Sequence, residues 1–212
     1  MKEFRHSRVK KTGLYLFPHA ARARHFLGIA SILVVLPAGA VCILISLFYS
    51  GGPKPISRTP FGELASGVAM GFAIVYITAY TWTGTLYWDF LIPAIPSTIL
   101  IGNIMMTNNL RDFSNDKAHG RRTLVILLGK DEGIRLLRTL FIVCVLWLFL
   151  WVFLGHLPSA SLLGIIALFP AFKSAAILQR YADVVKMNEA MKFTSISVTL
   201  YHLLVSVGLW IG

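Results

Sequence analysis

The sequence predicts an all-α protein that crosses a lipid bilayer about six times. Three observations carry this. Of 212 residues, 56% are hydrophobic and only 14% charged, and mean hydropathy is +0.71. A soluble helical domain carries nearer a quarter charged residues. Six apolar segments, at about 27–49, 62–83, 88–107, 134–155, 160–179 and 190–211, each approach the roughly 20 residues that span hydrocarbon. Lys and Arg fall in the connections after the first, third and fifth segments, whereas those after the second and fourth hold none.

Residues 1–26 form a basic tail, in which 13–23 predict a short amphipathic surface helix with Leu14, Leu16 and Phe17 as its apolar side. No cleavable leader is read here, because the apolar segment that follows is too long for a signal-peptide core. Residues 27–212 read as one transmembrane helical domain. The first segment contains Pro37 and stops at Ser50-Gly51-Gly52-Pro53. The second begins near Pro60 and spaces Gly67 and Gly71 four apart, a pattern suited to close helix contact. The third carries Pro93 and Pro96, which predict a bend. The fourth is dense in Leu, Val, Phe and Trp. The fifth follows Pro158. The sixth carries Ser195, Ser197, Thr199 and His202, read as one polar face. Trp82, Tyr87 and Trp88 read as interfacial aromatics, and Trp147 and Trp151 as lipid-facing or packing residues.

Net charge is +11. In so apolar a chain this points to anionic lipid head groups and a phosphorylated substrate rather than nucleic acid. Cys42 and Cys144 lie inside apolar runs and read as small buried hydrophobes. By the positive-inside rule the connection after the third segment faces the cytoplasm, in a multi-pass protein of the cell membrane. The basic tail then falls on the other side, against the rule.

The chemistry concentrates in residues 108–130. Asn108, Asp112 and Asp116 stand four apart. Four helical residues turn the chain by about 400°, so the three side chains share one face at the mouth of a membrane helix. Hard oxygen ligands of this kind suit Mg²⁺, which takes one or two carboxylates and fills its shell with water and substrate phosphate. Arg111, Lys117, Arg121 and Arg122 surround the two carboxylates, as a metal–diphosphate complex requires. Asn109 is adjacent and points elsewhere. For His119 a solvated loop position outweighs a ligand role.

The run Asn108-Asn109-x-Arg111-Asp112-x-x-x-Asp116, continuing through Gly120, Arg121, Thr123 and Leu124 to Leu128-Gly129, closely resembles the second aspartate-rich motif of UbiA-type prenyltransferases. It is most similar to the menaquinone branch, 1,4-dihydroxy-2-naphthoate polyprenyltransferase. Residues 49–56 and Gly62-Glu63 resemble that branch's loop between its fourth and fifth helices. The resemblance implies that the six spans correspond to helices four to nine of a nine-helix bundle. It implies an Mg²⁺-dependent transfer of a prenyl group from polyprenyl diphosphate to an aromatic acceptor, with loss of the acceptor carboxylate as carbon dioxide. Asn108, Asp112 and Asp116 would hold the ion. Arg111, Lys117, Arg121, Arg122 and Lys54 would bind diphosphate, with Tyr49 and Asn109 lining the substrate site.

The chain departs from the family in lacking the first motif, of N-D-x-x-D-x-x-x-D type. The resemblance therefore implies a second membrane subunit that carries the missing helices and the first carboxylate set. The competing readings are a non-catalytic or degenerate subunit that stabilises a partner, and a transporter with Asp112 and Asp116 as coupling groups. A transporter places such groups at mid-membrane rather than in an Arg-rich mouth.

Overall fold

The computed structural model describes residues 34–212. The basic tail, its 13–23 helix and the start of the first segment lie outside the described residues. Eight helices follow in order: α1 (Val34–Ser50), α2 (Gly62–Thr83), α3 (Leu91–Arg111), α4 (Phe113–Ala118), α5 (Leu124–Leu128), α6 (Lys130–Phe153), α7 (Ser159–Arg180) and α8 (Val184–Ile211). Five of these, with α3 extended by its 3₁₀ turn from Trp88, are long and apolar enough to cross a membrane. The all-α polytopic architecture matches the expectation, with five of the six expected spans long and apolar enough among the described residues; of the first, only Val34–Ser50 is described.

Hydropathy set the segment centres well and the ends less well. Helix α6 starts at Lys130 rather than 134, because Gly129 (φ 88°) stops the preceding turn and Asp131 and Glu132 occupy the first turn. Helix α8 starts at Val184, where the Asp183 carboxylate accepts from the Val185 amide at 3.1 Å. Both starts are charged and so escape an apolar window. The first half of α7, Ser159–Ala167, is wound as 3₁₀ helix.

Helix α3 is central, packing against α2, α6 and α8. Its Leu100, Met106 and Leu110 meet Val125, Leu137, Phe141 and Leu148 in one apolar core. The α2 contact rests on the predicted glycine pair. A Cβ on Gly67 would collide with the Thr98 carbonyl oxygen, and one on Gly71 would lie 2.7 Å from backbone atoms of Ser97 and Thr98. The backbone between them, Val68–Phe72, is π-helical. Gly208 of α8 makes an equally close approach to α7, with its Cβ direction 2.5 Å from the Ser161 backbone.

Pro96 leaves α3 unbroken from Leu91 to Arg111. Proline lacks the N–H that would bond the carbonyl four residues earlier, here Ile92. The Trp147 indole Nε1 takes that place, donating to the Ile92 oxygen at 2.9 Å. Trp147 is thus a packing residue with a definite partner. Trp147→Phe is expected to cost about 1–2 kcal/mol by orphaning that carbonyl. Adding Pro96→Ala restores an internal donor, so a double-mutant cycle of thermal unfolding should show strong coupling; additive losses would refute this pairing.

The polar face predicted for α8 is corrected. Ser197 is buried and donates to the Ala167 oxygen at 2.6 Å, and His202 Nε2 lies 2.8 Å from Ser97 Oγ. Ser195 and Thr199 are exposed on another side. The inward polar groups are Thr194, Ser197 and His202. Thr194 Oγ1 lies 3.0 Å from Thr107 Oγ1 and 2.7 Å from Ser174 Oγ, tying α8 to α3 and α7.

Contacts at each end fix the sidedness of the bundle. Arg121 reaches the Ser57 oxygen, Lys130 reaches the Tyr181 oxygen and Arg111 reaches Asn188, so the connections after α1, α3 and α7 gather together. At the far end Trp88, Trp151 and His156 meet edge-on or tilted.

Candidate functional site

The site is built where α3 gives way to α4. Asp112 sits between them at φ −90°, ψ 6°, a half-turn that would interrupt a straight helix. The i→i−4 ladder nevertheless continues through it. Asp112 N donates to the Asn108 oxygen at 3.0 Å, and Asp116 N to the Asp112 oxygen at 2.9 Å. Asn108, Asp112 and Asp116 therefore keep the helical four-residue spacing that the sequence predicts.

Arg111 dominates the outer half of this face. Its Nε and Nη2 bind both carboxylate oxygens of Asp112, at 2.9 and 2.7 Å. Nη2 also donates to Asn108 Oδ1 at 2.8 Å, and Nη1 to Asn188 Oδ1 of α8 at 3.2 Å. The guanidinium thus rests on two of the three proposed ligands. The carboxylate next to it is the strongest acceptor within reach.

Asp116 forms the inner half. Its side chain is only 4% exposed. Gly120, at φ 69°, turns the chain back so that Arg121 N donates to the Asp116 carbonyl at 3.0 Å. The Arg121 guanidinium then binds Asp116 Oδ1 at 2.8 Å. Asp116 Oδ2 is buried with no partner. An orphaned carboxylate oxygen is costly unless something else completes it.

These residues fit a magnesium ion. They offer an amide oxygen, two carboxylates and one buried oxygen already free. Among the described residues no group of three or more His, Cys, Asp or Glu side chains gathers to hold a metal. Such a shell would take its remaining oxygens from water, phosphate or other carboxylates.

The other expected residues are less tightly assembled. Lys117 is exposed, its Nζ 6.0 Å from the Phe113 ring centroid. Arg122 is exposed and tied by its backbone N–H to the Arg58 oxygen at 3.0 Å. Lys54 is exposed in the facing loop, and no hydrogen bond brings it onto the carboxylates. That loop docks on the motif through Arg121 Nη2 and the Ser57 oxygen, 3.3 Å apart. Tyr49 is half-buried and its hydroxyl accepts from Ser66 Oγ at 3.2 Å. His119 is exposed against the Asn115 oxygen.

Asn109 points away from the ladder, as its position requires, and is buried. Its Nδ2 donates to Glu63 Oε1 at 2.8 Å. Glu63 is 5% exposed and its Oε2 has no partner. Neither Glu63 nor Asn188 was singled out as a site residue by the sequence. The signal for Glu63 was an acidic residue at the start of an apolar span. Asn188 gave none.

Comparison with known proteins identifies the family. The model of the UbiA prenyltransferase family matches residues 19–197. A 1,4-dihydroxy-2-naphthoate octaprenyltransferase of Bacillus subtilis (strain 168) is 36% identical over 176 residues, covering 82% of this chain and 56% of that protein. The protein of the same description from Escherichia coli (strain K12) is 27% identical over 193 residues, covering 87% and 60%. The chain therefore spans a little over half the length of these relatives. A solved structure of digeranylgeranylglyceryl phosphate synthase superposes with a TM-score of 0.63 at 20% identity, covering 82% of this chain and 61% of that one. That likeness shows the fold.

Proposed function

The chain belongs to the UbiA prenyltransferase family, and from that premise we propose that it transfers a polyprenyl group from its diphosphate to 1,4-dihydroxy-2-naphthoate in menaquinone synthesis. The observation that carries this reading is the Asn108, Asp112, Asp116 ladder, with one buried carboxylate oxygen open and guanidinium groups on either side.

Bound at this ladder, Mg²⁺ would supply Lewis acidity toward the departing diphosphate. Asp112, Asp116 and Asn108 would hold the ion, and Arg111 would leave Asp112 and Asn108 to take diphosphate oxygens. Arg121 keeps Asp116 oriented, and Arg122, Lys117 and Lys54 supply further positive charge around the leaving group. Tyr49 and Asn109 line the acceptor side. The apolar helices keep water from the allylic cation formed as the C–O bond breaks. A second membrane chain that carries the first aspartate-rich motif would supply further carboxylates to the ion. The motif mouth faces the cytoplasm, where the loops carrying Lys54 and Arg121 lie.

The test is transfer of a labelled octaprenyl group to 1,4-dihydroxy-2-naphthoate by membranes that contain the chain and its partner. Transfer should require Mg²⁺ and should vanish with Asp112→Ala. Undiminished transfer by that variant would remove the metal-site reading.

Arg111 gives a separate prediction of opposite signs. Arg111→Gln frees three oxygen ligands, so affinity for Mg²⁺ alone should rise several-fold by calorimetric titration. Affinity for the polyprenyl diphosphate should fall in the same variant. A loss of both would mean that Arg111 only builds the site.

A further inference from the structure

Glu63 is a carboxylate that the metal ladder does not use. It sits in the first turn of α2. Its backbone packs on α3, where a Cβ on Gly102 would lie 3.2 Å from the Glu63 carbonyl oxygen. Two turns along α3, Asn109 Nδ2 binds its Oε1 at 2.8 Å. One turn along α2, Ser66 Oγ donates to the Tyr49 hydroxyl at 3.2 Å. Tyr49, Glu63, Ser66 and Asn109 thus form a polar cluster where α1, α2 and α3 meet, one residue along the chain from Asn108.

Three features argue that this carboxylate does more than hold Asn109. A glutamine would accept the same hydrogen bond without the cost of burying an acid at 5% exposure. Among the described residues no Lys, Arg or His pairs with it. Its Oε2 is shut off from solvent and has no donor. Nor does it join Asp112 and Asp116 in a metal-binding group, since none of three or more such side chains is found among the described residues.

We propose that Glu63 is the acceptor-side base of this site, with Oε1 locked by Asn109 and Oε2 receiving a ring hydroxyl of the aromatic acceptor. This rests on the function proposed above. The ring carbon bearing the carboxylate bonds to C1 of the prenyl group as the C1–O bond breaks, and that electron pair leaves with diphosphate. The proton of the neighbouring ring hydroxyl passes to Glu63 Oε2, leaving a ring ketone. Carbon dioxide then departs, its bonding pair restores the aromatic ring, and the ring oxygen recovers the proton from Glu63. No proton is consumed overall. A carboxylate oxygen held away from water is a strong acceptor for such a proton.

The test compares wild type, Glu63→Gln and Glu63→Ala in the same membranes. It reads Mg²⁺-dependent binding of an unreactive thiodiphosphate donor, binding of 1,4-dihydroxy-2-naphthoate by its fluorescence, and the transfer rate. Glu63→Gln should bind donor within about twofold of wild type and lose on the order of 10²-fold or more in kcat/KM for the acceptor. Glu63→Asp should recover part of that loss. Transfer by Glu63→Gln at the wild-type rate, or a parallel loss of donor binding, would overturn the assignment. Should wild type neither bind donor nor transfer, the functional reading fails on its own. In that case the assignment of Glu63 as a base falls with it.

Discussion

Replacing Asp116 by Asn is expected to lower prenyl transfer by on the order of 10³-fold while leaving the chain folded. The side chain keeps its size, and one amide oxygen can still accept from Arg121 Nη1, now 2.8 Å from the carboxylate. What disappears is the second anionic oxygen, buried and unpartnered. That atom is the one place in the ladder where a cation can bind without first displacing a guanidinium. Arg121 keeps its charge with no carboxylate to match it, so a stability loss of about 1–3 kcal/mol accompanies the change. Thermal unfolding measured beside the transfer assay separates the two effects. Loss of transfer without loss of folding supports the role; loss of both in proportion assigns Asp116 to structure alone.

Gly71→Val should cause a large loss of stability in the bundle core. Its Cβ would lie 2.7 Å from the Ser97 carbonyl carbon and oxygen and from Thr98 Cα. These are backbone atoms and cannot rotate aside, so α2 must lift from α3. Overpacking of this kind costs roughly 3 kcal/mol or more. The lift also carries Glu63 and Ser66 away from Asn109 and Tyr49, so acceptor turnover should fall together with melting temperature. Two glycines calibrate the effect. At Gly164 the near atoms are side-chain ends of Val205 and Leu148, which can give, so Gly164→Ala should cost less. At Gly39 nothing lies within 4 Å, so Gly39→Ala should be neutral or slightly stabilising. Equal losses at all three positions would mean that close backbone approach is not what joins α2 to α3.

The features legible in the sequence are those set by short-range periodicity. The spans follow from runs of apolar residues, and the ladder from a spacing of four. The close contact of α2 follows from Gly67 and Gly71, which share one helix face. What was missed depends on which helices become neighbours. The Trp147 bond to Ile92 pairs α6 with α3, and nothing local to either residue announces it. Glu63 meets Asn109 across 46 positions, and Arg111 meets Asn188 across 77. The polar face of α8 was misdrawn for a related reason. Ser195 and Ser197 lie about 200° apart around a helix, so the four polar residues belong to two faces. The bonds of Arg111 to the adjacent carboxylate and amide are likewise a product of the fold, since charge and spacing do not specify them.

The most direct test of the account uses Mn²⁺ in place of magnesium, with membranes containing the chain and its partner and an unreactive prenyl thiodiphosphate. Electron-nuclear resonance reads coupling between the metal's unpaired electrons and the donor phosphorus. Phosphorus coupling is expected in the wild type and should disappear in the Asp112→Asn, Asp116→Asn double variant. Unchanged coupling in that variant would show the ion and diphosphate held elsewhere, and would contradict the account.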